Sequence, residues 1–143
     1  RKLRAYLSFK IIDKLQASSG ATVICKNVLK LAVLDIKFTS GSQFTGDVNI
    51  GQLTSDQNSG SEITITGKAD KLMVEASSGA IFKGFDLVAE YCTAKASSGG
   101  GVRVNVSKEL IAKASSGGGV RYQGEAVIKE VDVNSGGFVK KAS

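Results

Sequence analysis

AKASSGGGVRVNVSKELIAKASSGGGVR, residues 94–121, holds the pattern that decides the fold: two Ser-Gly pairs, Ser98-Gly99 and Ser116-Gly117, each followed by an alternating strand-like run. The same pair recurs at Ser19-Gly20, Ser40-Gly41, Ser59-Gly60, Ser78-Gly79 and Ser135-Gly136, so successive glycines lie 21, 19, 19, 20, 18 and 19 residues apart. A fixed period in this range marks stacked supersecondary units, whereas isolated Ser/Gly clusters would read as linkers.

Aligning the repeats on their glycines tests that reading. Three residues after each Gly stand Val23, Phe44, Ile63, Phe82, Val102, Val120 and Val139, all apolar. Five before each Gly stand Leu15, Ile36, Ser55, Val74, Ala94, Ala112 and Val131; the next position holds the polar residues Gln16, Lys37, Asp56, Glu75, Lys95, Lys113 and Asp132. Side chains on a strand alternate faces, so the first two sets are expected inside and the third in solvent. Seven before each Gly a further inward position reads Leu34, Leu53, Leu72, Cys92 and Leu110, flanked by Asp13 and Lys129 in the end coils.

The chain is therefore predicted to be all-β: one single-stranded, right-handed β-helix or solenoid of about seven coils with a repeat of about 19 residues. It forms a single domain over 1–143, with 1–12 as a leading strand covering the first coil and 13–143 as the Ser-Gly-marked coils. The leading strand is read from Leu3, Ala5, Leu7, Phe9 and Ile11 alternating with polar or amphipathic neighbours. The Gly of each pair is expected to be left-handed and to turn the chain at a corner.

Composition narrows the functional classes. With 143 residues the chain can bury a core unaided, and 17 Gly with no Pro and no Trp suit tight turns joined by short strands. No run of 18 or more apolar residues is present, so no membrane helix is expected and the chain reads as soluble. Arg1 opens the chain without Met or an apolar leader, so an export signal or anchor is expected to have been removed or never present. The absence of His removes the commonest general base and metal ligand, and no cofactor or metal is expected. Nineteen Lys and Arg against 13 Asp and Glu leave a net charge of +6, favouring anionic partners.

One position concentrates that charge. Four residues after each Gly the chain reads Ile24, Thr45, Thr64, Lys83, Arg103, Arg121 and Lys140, so four consecutive coils carry a cation. Lys83, Arg103, Arg121 and Lys140 are the candidate anion-binding residues, with anionic glycans or lipid headgroups as the expected partners. Gly101 and Gly119, two after their corner glycines, expose backbone beside Arg103 and Arg121. The competing explanation is a solvated, aggregation-resistant strand face. The glycine runs lead into strands and not helix N-termini, and aromatics are only 6%, so neither nucleotide nor nucleic-acid binding is expected.

Asp56 and Glu75 share an outward offset in adjacent coils, which opens a reading as a carbohydrate-active enzyme. Lys37 before them and Lys95 after make a charge ladder the simpler account, and no catalytic residue is assigned. Seven equivalent serines without a His argue against a serine nucleophile. Cys25 and Cys92 fall three coils apart, roughly 14 Å along the axis, beyond disulfide reach, and are read as small buried hydrophobes. Tyr122 is read as a core or corner aromatic.

The stretch 104–143 resembles the auto-transporter adhesin head, or GIN, domain family through Leu110, the Ser-Ser-Gly-Gly run at 115–118, Val120, Tyr122-Gln123-Gly124 and the closing Ser-Gly-Gly-Phe-Val. Ala-Ser-Ser-Gly-Ala at 17–21 and 76–80 is similar to the same family, so the likeness spans residues 13–143. Phe38 and Gln57 depart from a position held mostly by Ala. The resemblance implies an exported Bacteroidetes-type β-solenoid, periplasmic or associated with the cell surface or outer membrane, acting as a non-enzymatic adhesin-like binding or scaffold module. The alternatives are the carbohydrate-active enzyme and a lipid- or anionic-glycan-binding protein. An apolar cavity between sheets would favour lipid, and a carboxylate-lined groove an enzyme.

Overall fold

The computed structural model describes residues 4–7, 14–17, 20–25 and 29–141. They form eleven strands: β1 (Arg4–Leu7), β2 (Lys14–Ala17), β3 (Thr22–Cys25), β4 (Leu29–Phe38), β5 (Gln43–Gln57), β6 (Glu62–Ala76), β7 (Ile81–Ala96), β8 (Gly101–Ala114), β9 (Gly119–Gln123), β10 (Val127–Val133) and β11 (Phe138–Lys141). No helix occurs among the described residues. Every strand pairing is parallel, and all belong to one continuous sheet coiled on itself.

Register follows the glycine spacing. Gln43 pairs with Glu62, Glu62 with Ile81, Ile81 with Gly101, Gly101 with Gly119 and Gly119 with Phe138. Seven Ser-Gly corners bound six intervals, so the solenoid makes about six turns where seven coils were expected. The uneven period has a local cause: the register of β7 slips against β8 between Gly84 and Val88, where extra residues are accommodated as a bulge. At the N-terminus β1 pairs with β3, Arg4 to Thr22, and so lies beside β3 in the register of one more coil arm. The rest of the expected leading strand, and Asp13, lie outside the described residues.

The corners explain why the repeat is Ser-Gly. In Ser98-Gly99 both residues are left-handed, with φ of 49° and 78°, and the Gly100 N–H donates to the Ser97 carbonyl at 2.8 Å. Two positive φ values closed by this bond make a type I′ turn. The sequence reading gave left-handed φ to the glycine alone; six of the corner serines share it, from Ser40 to Ser135. A non-glycine residue pays roughly 1–2 kcal/mol for that conformation. The offset comes from bonding along the stack: the Gly99 N–H donates to the Ser116 carbonyl at 3.2 Å, and the Ser115 N–H donates back to the Ala96 carbonyl at 3.0 Å.

The inward positions close the interior. Val23, Phe44, Ile63, Phe82, Val102 and Val120 are buried, as are Leu34, Leu53, Leu72, Cys92 and Leu110. Phe38 and Gln57 also point inward: Phe38 packs edge-on against Phe44 at 5.7 Å, and Gln57 Nε2 donates to the Ile81 carbonyl at 2.7 Å. Ser55 is buried in its apolar row, and its Oγ has no hydrogen-bond partner among the described residues. Val131 departs from expectation: it is exposed, with Val133. Both lie in β10, which pairs with β8 alone and so is covered on one side only among the described residues.

Two stability tests follow from this geometry. A Cβ at Gly100 would overlap the Ala76 carbonyl of the preceding coil, whereas one at Gly101 meets nothing within 4 Å. Gly100→Ala should therefore cost several kcal/mol in denaturant unfolding, while Gly101→Ala should be neutral or stabilise by roughly 0.5 kcal/mol. Ser55→Ala, which removes a buried hydroxyl lacking a partner, should raise stability by about 1 kcal/mol in the same assay.

Candidate functional site

Strand pairing brings the four cations predicted from the sequence into one row. Lys83 is opposite Arg103, Arg103 opposite Arg121, and Arg121 opposite Lys140. Because parallel register preserves the offset from each corner, these side chains stand on the same outer face, spaced by the strand separation of about 4.8 Å. Thr45 and Thr64 continue the row toward the N-terminus.

The four differ in what surrounds them. Lys83 Nζ is 2.9 Å from Glu62 Oε2, both partly exposed, so this cation is already matched by a carboxylate two positions from its corner. Exposed pairs of this kind contribute about 0.2–1 kcal/mol. Arg103, Arg121 and Lys140 have no carboxylate within ion-pair range among the described residues. Arg121 and Lys140 instead flank the Phe138 ring, at 5.4 Å and 5.3 Å from its centroid. Cations so placed interact with the ring's negative face.

Beside the row lies a groove of about 260 Å³, whose lining includes Ile81, Gly101, Arg103, Gly119, Arg121 and Phe138. It exists because Gly101 and Gly119 lack side chains in a row that otherwise carries Glu62, Ile81 and Phe138. Phe138 leans back over Gly119, filling the space a side chain there would take, and Gly101 stays open. The walls Ile81 and Phe138 were not singled out by sequence reasoning, although a large residue at the offset of two glycines was the available signal.

On the other side of each corner, four residues before the glycine, a second charged row runs Lys37, Asp56, Glu75, Lys95, Lys113 and Asp132. Asp56 and Glu75 do meet, as adjacent strand partners lining a groove of about 210 Å³ with Thr54, Met73, Thr93 and Lys95. A second groove of about 290 Å³ carries Glu75, Lys95, Lys113 and Asp132 with Ser97 and Ser115. Lysines bracket both carboxylates along the row, which is the pattern of a cross-strand charge ladder.

Cys92 is buried in the leucine row, and burial pushes its thiol up to about 12 from 9.0. It is a free cysteine and packs as a small hydrophobe, as expected. Cys25 lies in β3, with its side chain outside the described residues. Tyr122 is partly buried against the core.

A model of the family described as "Putative auto-transporter adhesin, head GIN domain" matches residues 1–126. The chain belongs to this family. The match takes in the N-terminal twelve residues, beyond the 13–143 span of the sequence resemblance, and stops before β10. No curated protein matches. Among solved structures, two described as a "putative adhesin" share the fold. That from Bacteroides fragilis has a TM-score of 0.83 at 16% identity, covering 91% of this chain and 60% of the other. That from Parabacteroides merdae has a TM-score of 0.69 at 17% identity, covering 92% and 64%. A structure described as a "putative lipid binding protein" from Parabacteroides distasonis has a TM-score of 0.61 at 17% identity, covering 92% and 62%. The chain thus spans less than two thirds of the length of these three proteins, and at these identities the likeness shows the fold alone.

The Cys92 environment gives a pH test. Folded protein keeps this proton while the unfolded thiol loses it above its ordinary value, so stability falls as pH rises from 9.0 toward about 12. Other groups titrate in the same window, so the measured quantity is the difference between the wild type and Cys92→Val. The wild type should lose up to about 1.4 kcal/mol more per pH unit there.

Proposed function

We propose that the protein is a non-enzymatic binding module of the adhesin type, exported to the cell surface or periplasm, that holds anionic partners on the row formed by Lys83, Arg103, Arg121 and Lys140. The observation that carries this reading is the in-register alignment of the row, together with the absence of carboxylate partners for Arg103, Arg121 and Lys140 among the described residues. Like charges roughly 5 Å apart repel by about 1 kcal/mol in bulk water, less in salt. A bound polyanion relieves that repulsion, and several weak contacts along one rigid row add together. Lys83, matched by Glu62, is the least available of the four.

Family membership supports the adhesin-like and exported parts of the reading. The carboxylate pair Asp56 and Glu75 supports an enzyme less well. Glu75 is exposed and pairs in register with Lys95, which favours a cross-strand charge ladder. A lipid reading draws on the similar fold from Parabacteroides distasonis. The buried interior is filled by Phe38, Phe44, Phe82 and their aliphatic neighbours, so recognition here would be of a headgroup on the cationic row, with no acyl chain between the arms.

The test is binding to a sulfated polysaccharide, with phosphoinositide vesicles as the lipid comparison. Affinity should fall steeply with added salt, and the double variant R103Q/R121Q should bind about tenfold more weakly at low salt. Its unfolding free energy should stay within roughly 0.5 kcal/mol of the wild type, since both residues lie on the surface. Salt-independent binding, or an unaltered double variant, would overturn the assignment.

A further inference from the structure

We propose that the glycine-floored groove between Ile81 and Phe138 is a subsite for one acidic pyranose unit of a glycan, its ring against Phe138 and its carboxylate on Arg103 and Arg121. This rests on the anion-binding reading of the cationic row and adds the class of ligand.

Size is the first reason. At about 260 Å³ the groove falls below the range of roughly 300–1,000 Å³ that accommodates drug-sized ligands, and it is open to solvent along the stack. That suits a single ring belonging to a longer chain. The second reason is the chemistry of the walls. Ile81 and Phe138 are apolar and face each other across the open position at Gly101, where nothing lies within 4 Å of a notional Cβ. A pyranose presents an apolar C–H face and polar edges, so it can lie between the apolar walls Ile81 and Phe138 while its hydroxyls remain in water.

Charge placement is the third. Arg103 lines the groove with no carboxylate partner among the described residues, and its planar fork matches a carboxylate in a bidentate arrangement. Arg121 stands 5.4 Å from the Phe138 centroid, so aromatic wall and cation form one unit, positioned before any ligand arrives. Lys140 lies on the same ring at 5.3 Å, ready for an anion on the next sugar. Linear polyphosphate would satisfy the cations but has no ring for the slot; an acidic glycan satisfies both.

Gly101→Val separates the two contributions. Gly101 lies in a strand, is not in the left-handed region and has free space at its Cβ, so a β-branched residue there fills the slot without removing any charge. The probes are a tetramer of galacturonic acid and a linear polyphosphate of equal charge, titrated at low salt by calorimetry. For the wild type both should bind. In Gly101→Val the galacturonate affinity should fall about tenfold or more, with polyphosphate changed less than twofold. Phe138→Leu, which keeps an apolar side chain over Gly119, should act in the same direction and guards against a folding defect in the first variant. If galacturonate binding is unchanged in both variants, or falls in parallel with polyphosphate, the subsite is overturned while the cationic row stands. If neither probe binds the wild type, both readings fail.

Discussion

The hydrogen bond from each corner glycine N–H to the serine carbonyl of the next coil is the constraint on which the molecule depends. It joins Gly20 to Ser40 at 3.0 Å and repeats at every described corner to Gly117 and Ser135 at 3.2 Å. The peptide between the two successive left-handed residues directs its N–H toward the following coil, while neighbouring amides such as Ser97 donate the other way, to Ala76. The corner thus locks adjacent coils from both sides. With the corners aligned, the side chains three after and five before each glycine fall in rows, because the strands keep one register close to each corner. Seven before, the row runs from Leu34 to Leu110 but breaks at Lys129, which a register shift passes over so that Ile128 pairs with Leu110.

Alignment of that kind has opposite consequences inside and outside the coil. Inside, rows of like residues stack apolar on apolar, each large aliphatic side chain contributing roughly 1.5–3 kcal/mol by burial. Outside, the same rule stacks charge on charge. The row four before the corner alternates sign in part, with Lys37 beside Asp56 and Glu75 beside Lys95. The row four after does not; Lys83, Arg103, Arg121 and Lys140 succeed one another, relieved only by Glu62 at one end and the Phe138 ring at the other. An unrelieved stretch centred on Arg103 adjoins the place where two consecutive glycines open the surface. Coincidence of uncompensated cations, missing side chains and an aromatic wall distinguishes this place from the rest of the outer face.

Much of this was legible in the sequence. The period, the parallel stacking, the inward rows and the cationic row follow from a repeat whose offsets near the corners survive folding, since parallel strands in register carry sequence spacing directly into space. The shifts between Gly84 and Val88 and around Lys129 lie away from the corners and were not legible. Ser55 was visible as an odd residue in an apolar row, and the structure places it inside the core with an unpartnered hydroxyl. What the repeat could not express was any feature arising from unlike neighbours across coils. The exposure of Val131 depends on which arms pack over the last turn, and the ion pair of Lys83 depends on Glu62 from the coil before.

The sequence by itself determined that successive coils stack and which side of each strand faces inward, because those properties need only a period and an alternation. The tertiary structure alone decided that the corner serines share the left-handed conformation of their glycines, and that Phe138 folds back over Gly119 to leave an open slot at Gly101. Both draw on contact between residues about nineteen positions apart: the corner adds bonds to the neighbouring coil to its own local turn bond, and the lean of the ring follows the space left at Gly119 on the next strand.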